Sequence, residues 1–323
     1  MAEADLVPAG GATTLPATLA ETVERAGEYA RQAKAPNTLR AYRSDWLDFD
    51  TWCQAHGLEA LPATDKTVAL YLTEAADRMK TSTMQRRLSA IAQAHKAAGH
   101  ESPTKGRVAM VWQGIRRAKG TAQKGKAPAR TQEVRAMVAT CGDGLLHARD
   151  RALLLLGFAG AFRRSELVGL DVADLDFGAD GLTVTLRRSK TDQEGAGQKV
   201  GIPYGSTPQT CPVRNLRAWL DAASITSGPV FRSVNRWEQV SAARLTGRAV
   251  ALIVKRCAEA AGLDPAQYAG HSLRAGLATA AAEAGVSERT IMAQTRHKSL
   301  PMVRRYIRDG NLFRDNAAAA VGL

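Results

Sequence analysis

The stretch Gly120 to Pro128 (GTAQKGKAP) constrains this chain more than any other. Rich in Gly and Lys and ending on Pro, it reads as a linker that stops regular structure on either side. A chain of 323 residues has room for two domains of ordinary size. The linker, residues 120–128, therefore predicts a first domain over residues 15–119 and a second over 129–323. Residues 1–14 are small and contain Gly and Pro, and are expected to form a mobile N-terminus.

The first domain reads as wholly helical. Apolar and charged residues fall at helical spacing from Leu15 to Ala33. A second helix starts near Asn37 and Thr38, with Leu39, Tyr42, Trp46, Phe49 and Cys53 on its inner face and Trp46 and Trp52 as packing residues. Thr64-Asp65 starts a third through Val68, Leu72 and Ala75. A fourth, Ser82 to Ala98, turns Leu88, Ile91 and Ala94 inward and presents Gln85, Arg86 and Arg87. The fifth runs from about Gly106 to Ala118. Between Arg78 and Lys126 the many Lys and Arg residues are opposed only by Glu101. With a formal charge of +13 on the whole chain, that lopsided run points to a polyanion, with nucleic acid the first candidate.

The second domain is mainly helical with a small sheet. Thr131 opens a helix, Ala148 to Phe158 has the all-apolar pattern of a deep core helix, and the turn Ala159-Gly160-Ala161 leads into Phe162-Arg163-Arg164-Ser165-Glu166-Leu167. Leu182 to Arg187 and Lys199 to Pro203 read as a β-hairpin whose long polar loop carries Lys190 at its entrance. Cys211-Pro212 starts a helix through Trp219, and Ser241 to Ala260 is expected to supply another, with Arg244, Thr246 and Arg248 near its start. Gly270 to Tyr306 then breaks at Gly285 and restarts behind Ser287, and Leu312 to Leu323 reads as a short Ala-rich terminal helix. The four cysteines, Cys53, Cys141, Cys211 and Cys257, show no metal-ligand spacing and read as reduced thiols. No apolar run approaches the roughly 18 to 20 residues that span a bilayer, and the N-terminus lacks a secretory pattern. A cytoplasmic, nucleoid-associated protein with no membrane partner is expected.

Gly270 to Tyr306 brings together His271, Arg274, His297 and Tyr306. Taken singly, the histidines read as helix-end residues and the tyrosine as a core aromatic. Together the residue types suit an anionic phosphorus centre: Arg offers a fixed fork of donors, His moves a proton near neutral pH, and Tyr can be a nucleophile. In order along the chain stand Arg163 with Glu166, Lys190, His271 with Arg274, His297 and Tyr306, in the motifs FRRSELVGL, RRSKTDQ, GHSLRAG and TRHKSLPMVRRYI. This ordered set resembles the tyrosine recombinase, or phage integrase, family over nearly the whole chain, with GHSLRAG, EAGVSERTIMA and YIRDG closest to its Cre-like members. His297 is the residue that most of the family carries, where Cre itself has Trp. Gln294-Thr295-Arg296 replaces the commoner Leu-Gly, a change expected to alter the local turn but not the donor.

The resemblance implies a helical core-binding domain and an α+β catalytic domain forming a C-shaped DNA clamp, with Tyr306 attacking a DNA phosphodiester to leave a 3′-phosphotyrosyl link and a free 5′-hydroxyl. A phenol conserves the bond energy, so resealing needs no ATP and no cofactor. Arg163 and Arg274 would clamp the phosphoryl oxygens, His297 would add a third donor, Lys190 would protonate the leaving oxygen, and His271 would accept or shuttle the tyrosine proton. Glu166 would hold His271 or Arg163 in place. Spacing to Glu166 favours Arg163 over Arg164 as the clamp. No second carboxylate matches Glu166 or Asp174, so no metal is expected.

Sequence selectivity is expected from the helix carrying Lys80, Thr83, Gln85, Arg86 and Arg87, from Arg116 and Arg117, and from Arg244, Thr246 and Arg248, whether by base edges or by phosphates. The partner implied is double-stranded DNA with a specific recombination site, bound by a homo-tetramer on two duplexes. Phe313 to Leu323 would dock on a neighbouring protomer or pack on its own domain. Two alternatives stand beside this: a type IB topoisomerase-like or telomere-resolving enzyme with the same chemistry, and a catalytically silent DNA-binding accessory protein, against which the complete residue set argues.

Overall fold

A computed structural model of the chain describes residues 19–122, 125–187, 197–297 and 299–310. Lys190 and the expected terminal helix at Phe313 to Leu323 lie outside the described residues. The chain divides into two compact units, Met1–Lys124 and Gly125–Leu323. No helix among the described residues is long and apolar enough to cross a membrane.

Unit 1 consists of α1 (Ala20–Gln32), α2 (Pro36–Ala55), α3 (Asp65–Arg78), α4 (Thr81–Ala97) and α5 (Arg107–Lys119). Pro36 opens α2 where a missing N–H costs nothing, and Thr64 caps α3 by accepting from Thr67 N–H. The core joins Trp46, Phe49, Trp52 and Cys53 of α2 to Val68, Tyr71 and Leu72 of α3, Met84, Leu88 and Ile91 of α4 and Val108 of α5. Leu39, expected on the inner face, is 43% exposed. A polar contact takes the inner surface instead: Asp45, 2% exposed, accepts from Arg86 Nε at 2.6 Å and Arg86 Nη2 at 2.8 Å, while Asp48 accepts from Arg87 Nη2 at 2.8 Å. The two arginines expected to face DNA thus turn onto α2.

Unit 2 opens with an extended segment that pairs Ala127 N–H with Gln267 O and Ala129 N–H with Ser272 O. It continues through α6 (Thr131–Ala139), α7 (Leu145–Ala159) and α8 (Arg164–Gly169). Strands β1 (Leu175–Phe177), β2 (Gly181–Leu186) and β3 (Gln198–Pro203) form an antiparallel sheet in that order. The register sets Leu182 opposite Ile202 and Val184 opposite Val200. The period of two puts these four side chains, with Leu186, into the core shared with α7. Helix α9 (Pro212–Ala222) is followed by a second antiparallel pair, β4 (Arg232–Val234) and β5 (Val240–Arg244). Helices α10 (Gly247–Ala260), α11 (Gly270–Glu283), α12 (Glu288–Thr295) and α13 (Leu300–Gly310) complete the unit.

Two differences from expectation stand out. Strands β1 and β4 lie outside the expected hairpin, and residues 241–244 are strand rather than the start of a helix. Helix α10 begins only at Gly247, after Thr246, whose hydroxyl accepts from Ala249 N–H. The four cysteines are free and buried.

Candidate active site

Four structural pieces of unit 2 bring the motif residues together: the turn after α7, the start of α8, the N-terminal half of α11, and the α12–α13 junction. Arg163 occupies the position just before α8, with extended backbone. Glu166, three residues on, reaches back so that Oε2 accepts from Arg163 N–H at 3.0 Å and Oε1 from Arg163 Nη1 at 2.5 Å. A carboxylate at this helix position serves the otherwise unpaired N–H of the preceding residue, so the R-x-x-E spacing builds its own clamp. Of the two expected roles of Glu166, the contact is with Arg163. Arg164 is exposed, and its stem crosses Gly270 so closely that a Cβ there would stand 2.4 Å from Arg164 Cγ.

Helix α11 is pressed against the extended start of the unit. A Cβ on Gly276 would fall 1.7 Å from Ala129 O, so only glycine lets the GHSLRAG segment sit where it does. Arg274, 1% exposed, donates from Nη1 to Ala161 O at 2.7 Å. Its Nη2 is buried and finds no partner among the described residues. Burial, then the neighbouring Arg163 and Arg296 charges, lower its pKa to about 10, so it remains a cation at neutral pH.

Tyr306 lies on α13, partly buried against Ala278, Ala282, Ile291 and Val303. His271 Nε2 and the Tyr306 hydroxyl are 3.1 Å apart. The His271 pKa is lowered by the protein around the ring and then by Arg274, Arg163 and Arg164, which favours the neutral imidazole that can accept a phenolic proton.

His297 follows α12, with its ring centroid 5.8 Å from that of Tyr306. Its Nδ1 is 2.7 Å from Thr295 Oγ1, and that hydroxyl is 2.7 Å from Ile291 O. The carbonyl can only accept, so the hydroxyl spends its proton there and Nδ1 of His297 must be the donor. Burial, then Arg274 and Arg163, push the His297 pKa down to about 4. Neutral His297 therefore has a bare Nε2, an acceptor. The expected role as a third donor requires a second proton on the ring.

Arg296 was not among the residues expected from the sequence. It closes α12 in the left-handed region, φ 57° and ψ 40°, where a side chain costs about 1 kcal/mol. Its guanidinium is buried, donating to Gly160 O at 2.9 Å, Gln294 O at 2.7 Å, Ala161 O at 3.0 Å and Glu166 Oε2 at 3.1 Å. The signal available was the replacement of the commoner Leu-Gly. Arg163 and Arg296 thus pair with one carboxylate, and Arg274 lies within electrostatic reach of it. Burial opposes ionisation of Glu166, but hydrogen bonds from Arg163 and the charge of Arg296 outweigh it and hold the carboxyl below its usual range.

The residues expected to read DNA separate into two groups. Arg86 and Arg87 are tied to Asp45 and Asp48 as described. Arg244 is held by Val168 O at 2.6 Å, Leu170 O at 3.0 Å and Asp171 Oδ1 at 2.6 Å, and Thr246 serves as a helix cap. Both are structural anchors rather than free readers. Lys80, Arg116, Arg117 and Arg248 are exposed, with no ion pair among the described residues, and Gln85 is exposed while accepting from Trp112 Nε1 at 3.1 Å. Thr83 is half-buried.

Comparison with known proteins now decides the family. The model of the phage integrase family matches residues 129–311, and that of the phage integrase N-terminal SAM-like domain matches residues 28–102. The chain belongs to the phage integrase family, the tyrosine recombinases. The recombinase is 46% identical over 291 residues to an integrase/recombinase xerD homolog of Selenomonas ruminantium, covering 88% of this chain and 85% of that protein. It is 28% identical over 290 residues to a tyrosine recombinase of Synechococcus elongatus, covering 84% and 85%. Among solved structures, XerH site-specific recombinase bound to palindromic difH substrate aligns with a TM-score of 0.64 at 16% identity, covering 93% of this chain and 83% of that one. A lambda integrase dimer bound to a COC′ core site aligns with a TM-score of 0.59 at 17% identity, covering 91% and 77%. At such identities the structural likeness speaks for the fold alone.

Proposed function

We propose that the recombinase cleaves and rejoins double-stranded DNA at a specific site through a covalent 3′-phosphotyrosine on Tyr306. The observation that carries this reading is the Nη2 of buried Arg274, which has no partner among the described residues and is set within electrostatic reach of the His271–Tyr306 pair. A buried guanidinium nitrogen with nothing to donate to is costly unless a ligand oxygen completes it. Three cations against one carboxylate call for an anion, and a phosphodiester supplies one.

In the forward step the Tyr306 oxygen attacks phosphorus as His271 takes its proton. The P–O5′ bond breaks, and Lys190 delivers a proton to the departing oxygen. Arg163 and Arg274 hold the non-bridging oxygens as charge builds on them. His297 joins as a donor once the bound phosphate has raised its pKa and supplied the reason for a second proton. Rejoining is the same path reversed, with the phosphotyrosyl ester conserving the bond energy, so ATP is not required. The guanidinium groups supply the charge stabilisation that the displacement needs.

On this reading Lys80, Gln85, Arg116, Arg117 and Arg248 meet DNA, and four protomers act on two duplexes. DNA sites are what the named structural neighbours are bound to, which supports DNA as the partner. The test is incubation with a nicked duplex followed by denaturing electrophoresis. Wild type should give a protein–DNA adduct and Tyr306→Phe none. An adduct with Tyr306→Phe would remove the nucleophile from this scheme.

A further inference from the structure

We propose that Arg296 is a positioning residue of the recombination site, locking the Arg163–Glu166 pair and the turn after α7 into the geometry that grips phosphate. This deepens the reading above and rests on it.

A non-glycine residue in the left-handed region is uncommon, and the commoner residue at this place, glycine, would adopt it without strain. Arg296 is nevertheless there, and its side chain explains why. Three consecutive carbonyls of the turn are taken from the end of α12 or from α11: Ala159 O by Gln294 Nε2 at 2.8 Å, Gly160 O by Arg296 Nη1 at 2.9 Å, and Ala161 O by both Arg274 Nη1 and Arg296 Nη2. Ala161 itself is at φ 46°, so this turn is bent into a sparsely populated shape and held from outside. The same Arg296 Nη2 reaches Glu166 Oε2, and the guanidinium stands 5.2 Å from the Phe162 ring centroid. One side chain therefore ties together the segment that orients Arg274, the carboxylate that orients Arg163, and the residue next to His297.

Glu166 faces Arg163 from the start of α8, Arg296 from the end of α12 and Arg274 from α11, with His271 and His297 beyond them. Removing Arg296 leaves the buried carboxylate with less positive charge around it, so its pKa rises. A protonated Glu166 can no longer accept from both the Arg163 backbone and its guanidinium. Arg163 then loses its hold as the pH falls.

The experiment uses the full chain and a nicked duplex selected by the wild-type protein from a random-sequence library through adduct capture. Single-turnover adduct formation is followed against pH for wild type, Arg296→Gly and Arg296→Lys, with duplex affinity measured by gel shift. Arg296→Gly should slow adduct formation at least tenfold while keeping the dissociation constant within about threefold, and its acid limb should move to higher pH. Arg296→Lys, which keeps the charge, should return the acid limb toward wild type even if part of the rate stays lost with the fork of donors. Wild-type rate in Arg296→Gly, or a lower rate with an unmoved acid limb, would overturn the proposal, because a role in mere packing does not shift a titration. Absence of a wild-type adduct, or an adduct with Tyr306→Phe, would sink the reading of the site instead.

Discussion

Both units pair arginines with a buried carboxylate, and the difference between the two clusters separates structure from function. In unit 1, Arg86 and Arg87 meet Asp45 and Asp48, two charges against two. Arg87 Nε makes no hydrogen bond, yet it lies 3.7 Å from Asp45 Oδ1, so the cluster is electrically closed. In unit 2, Arg163 and Arg296 pair with Glu166, Arg274 lies within its electrostatic reach, and Nη2 of Arg274 and Nε of Arg296 make no hydrogen bond among the described residues. Desolvated charge is tolerated where it is paired. A site that keeps an excess needs a ligand to balance it. Electrical balance, rather than basic character, tells the two apart.

The largest expected effect is at the surplus donor. Arg274→Gln should slow adduct formation by about 10²–10³-fold, the range for losing one preorganised donor to a transition-state oxygen. Single-turnover cleavage at saturating protein measures it. A loss confined to duplex affinity, with the saturated rate intact, would break the comparison, since Arg274 would then be another phosphate anchor.

The balanced cluster should respond in stability rather than rate. Asp45→Ala leaves Arg87 beside Asp48 alone and Arg86 to solvent, and should destabilise the chain by about 2 kcal/mol, the scale of losing charge-assisted hydrogen bonds. Urea unfolding of the full chain reads this. The saturated adduct rate, taken well below the unfolding transition, should stay within twofold. A rate loss comparable to that of Arg274→Gln would show that charge balance does not mark a structural cluster.

Why one cluster was legible in the sequence and the other was not follows from the range of the interactions. The helix starts at Thr64 and Ser287 and the apolar spacing of Trp46, Phe49 and Cys53 are local, so the helices could be placed. The β2–β3 pair was visible from alternation within six-residue strands. Strand β5 was not, because its residues are mostly exposed and it is held in place by Arg244 reaching Asp171, 73 positions away. Arg86 and Arg87 read as a DNA face because their partners stand 41 and 39 positions earlier. The site residues were recognised as an ordered set of motifs. Arg296 is not legible from the sequence because its carboxylate partner is 130 positions distant and its place in the pattern belongs to glycine.

A smaller effect separates the exposed cations from the paired ones. Arg116→Gln with Arg117→Gln should reduce the slope of log affinity against log salt by nearly two, about 0.9 for each phosphate that is no longer neutralised. Arg87→Gln should leave that slope unchanged while lowering the unfolding midpoint. Salt titrations of duplex binding check both. Equal slopes for all three proteins would mean that the α5 cations do not meet the backbone of DNA.

The finest distinction is between two histidines. His95, fully buried in unit 1, accepts Ala63 N–H at Nε2, which leaves Nδ1 to donate to Ile91 O, each at 2.8 Å. Its neutral form is complete, burial lowers its pKa, and its protonation costs stability as the pH falls below the unfolded value of about 6.5. His297 also donates from Nδ1, but Nε2 makes no hydrogen bond among the described residues, and with a pKa of about 4 it is neutral in the free protein at about pH 6. A phosphodiester beside it favours the charged ring, so binding should take up a proton. The dissociation constant should then tighten as pH falls between the bound and free pKa values, and calorimetry at about pH 6 in buffers of different ionisation enthalpy should find up to one proton absorbed per protomer. His297→Asn should abolish most of that uptake. Uptake that survives in His297→Asn would place the titrating group elsewhere, with His271 the next to examine, and would return His297 to the class of His95.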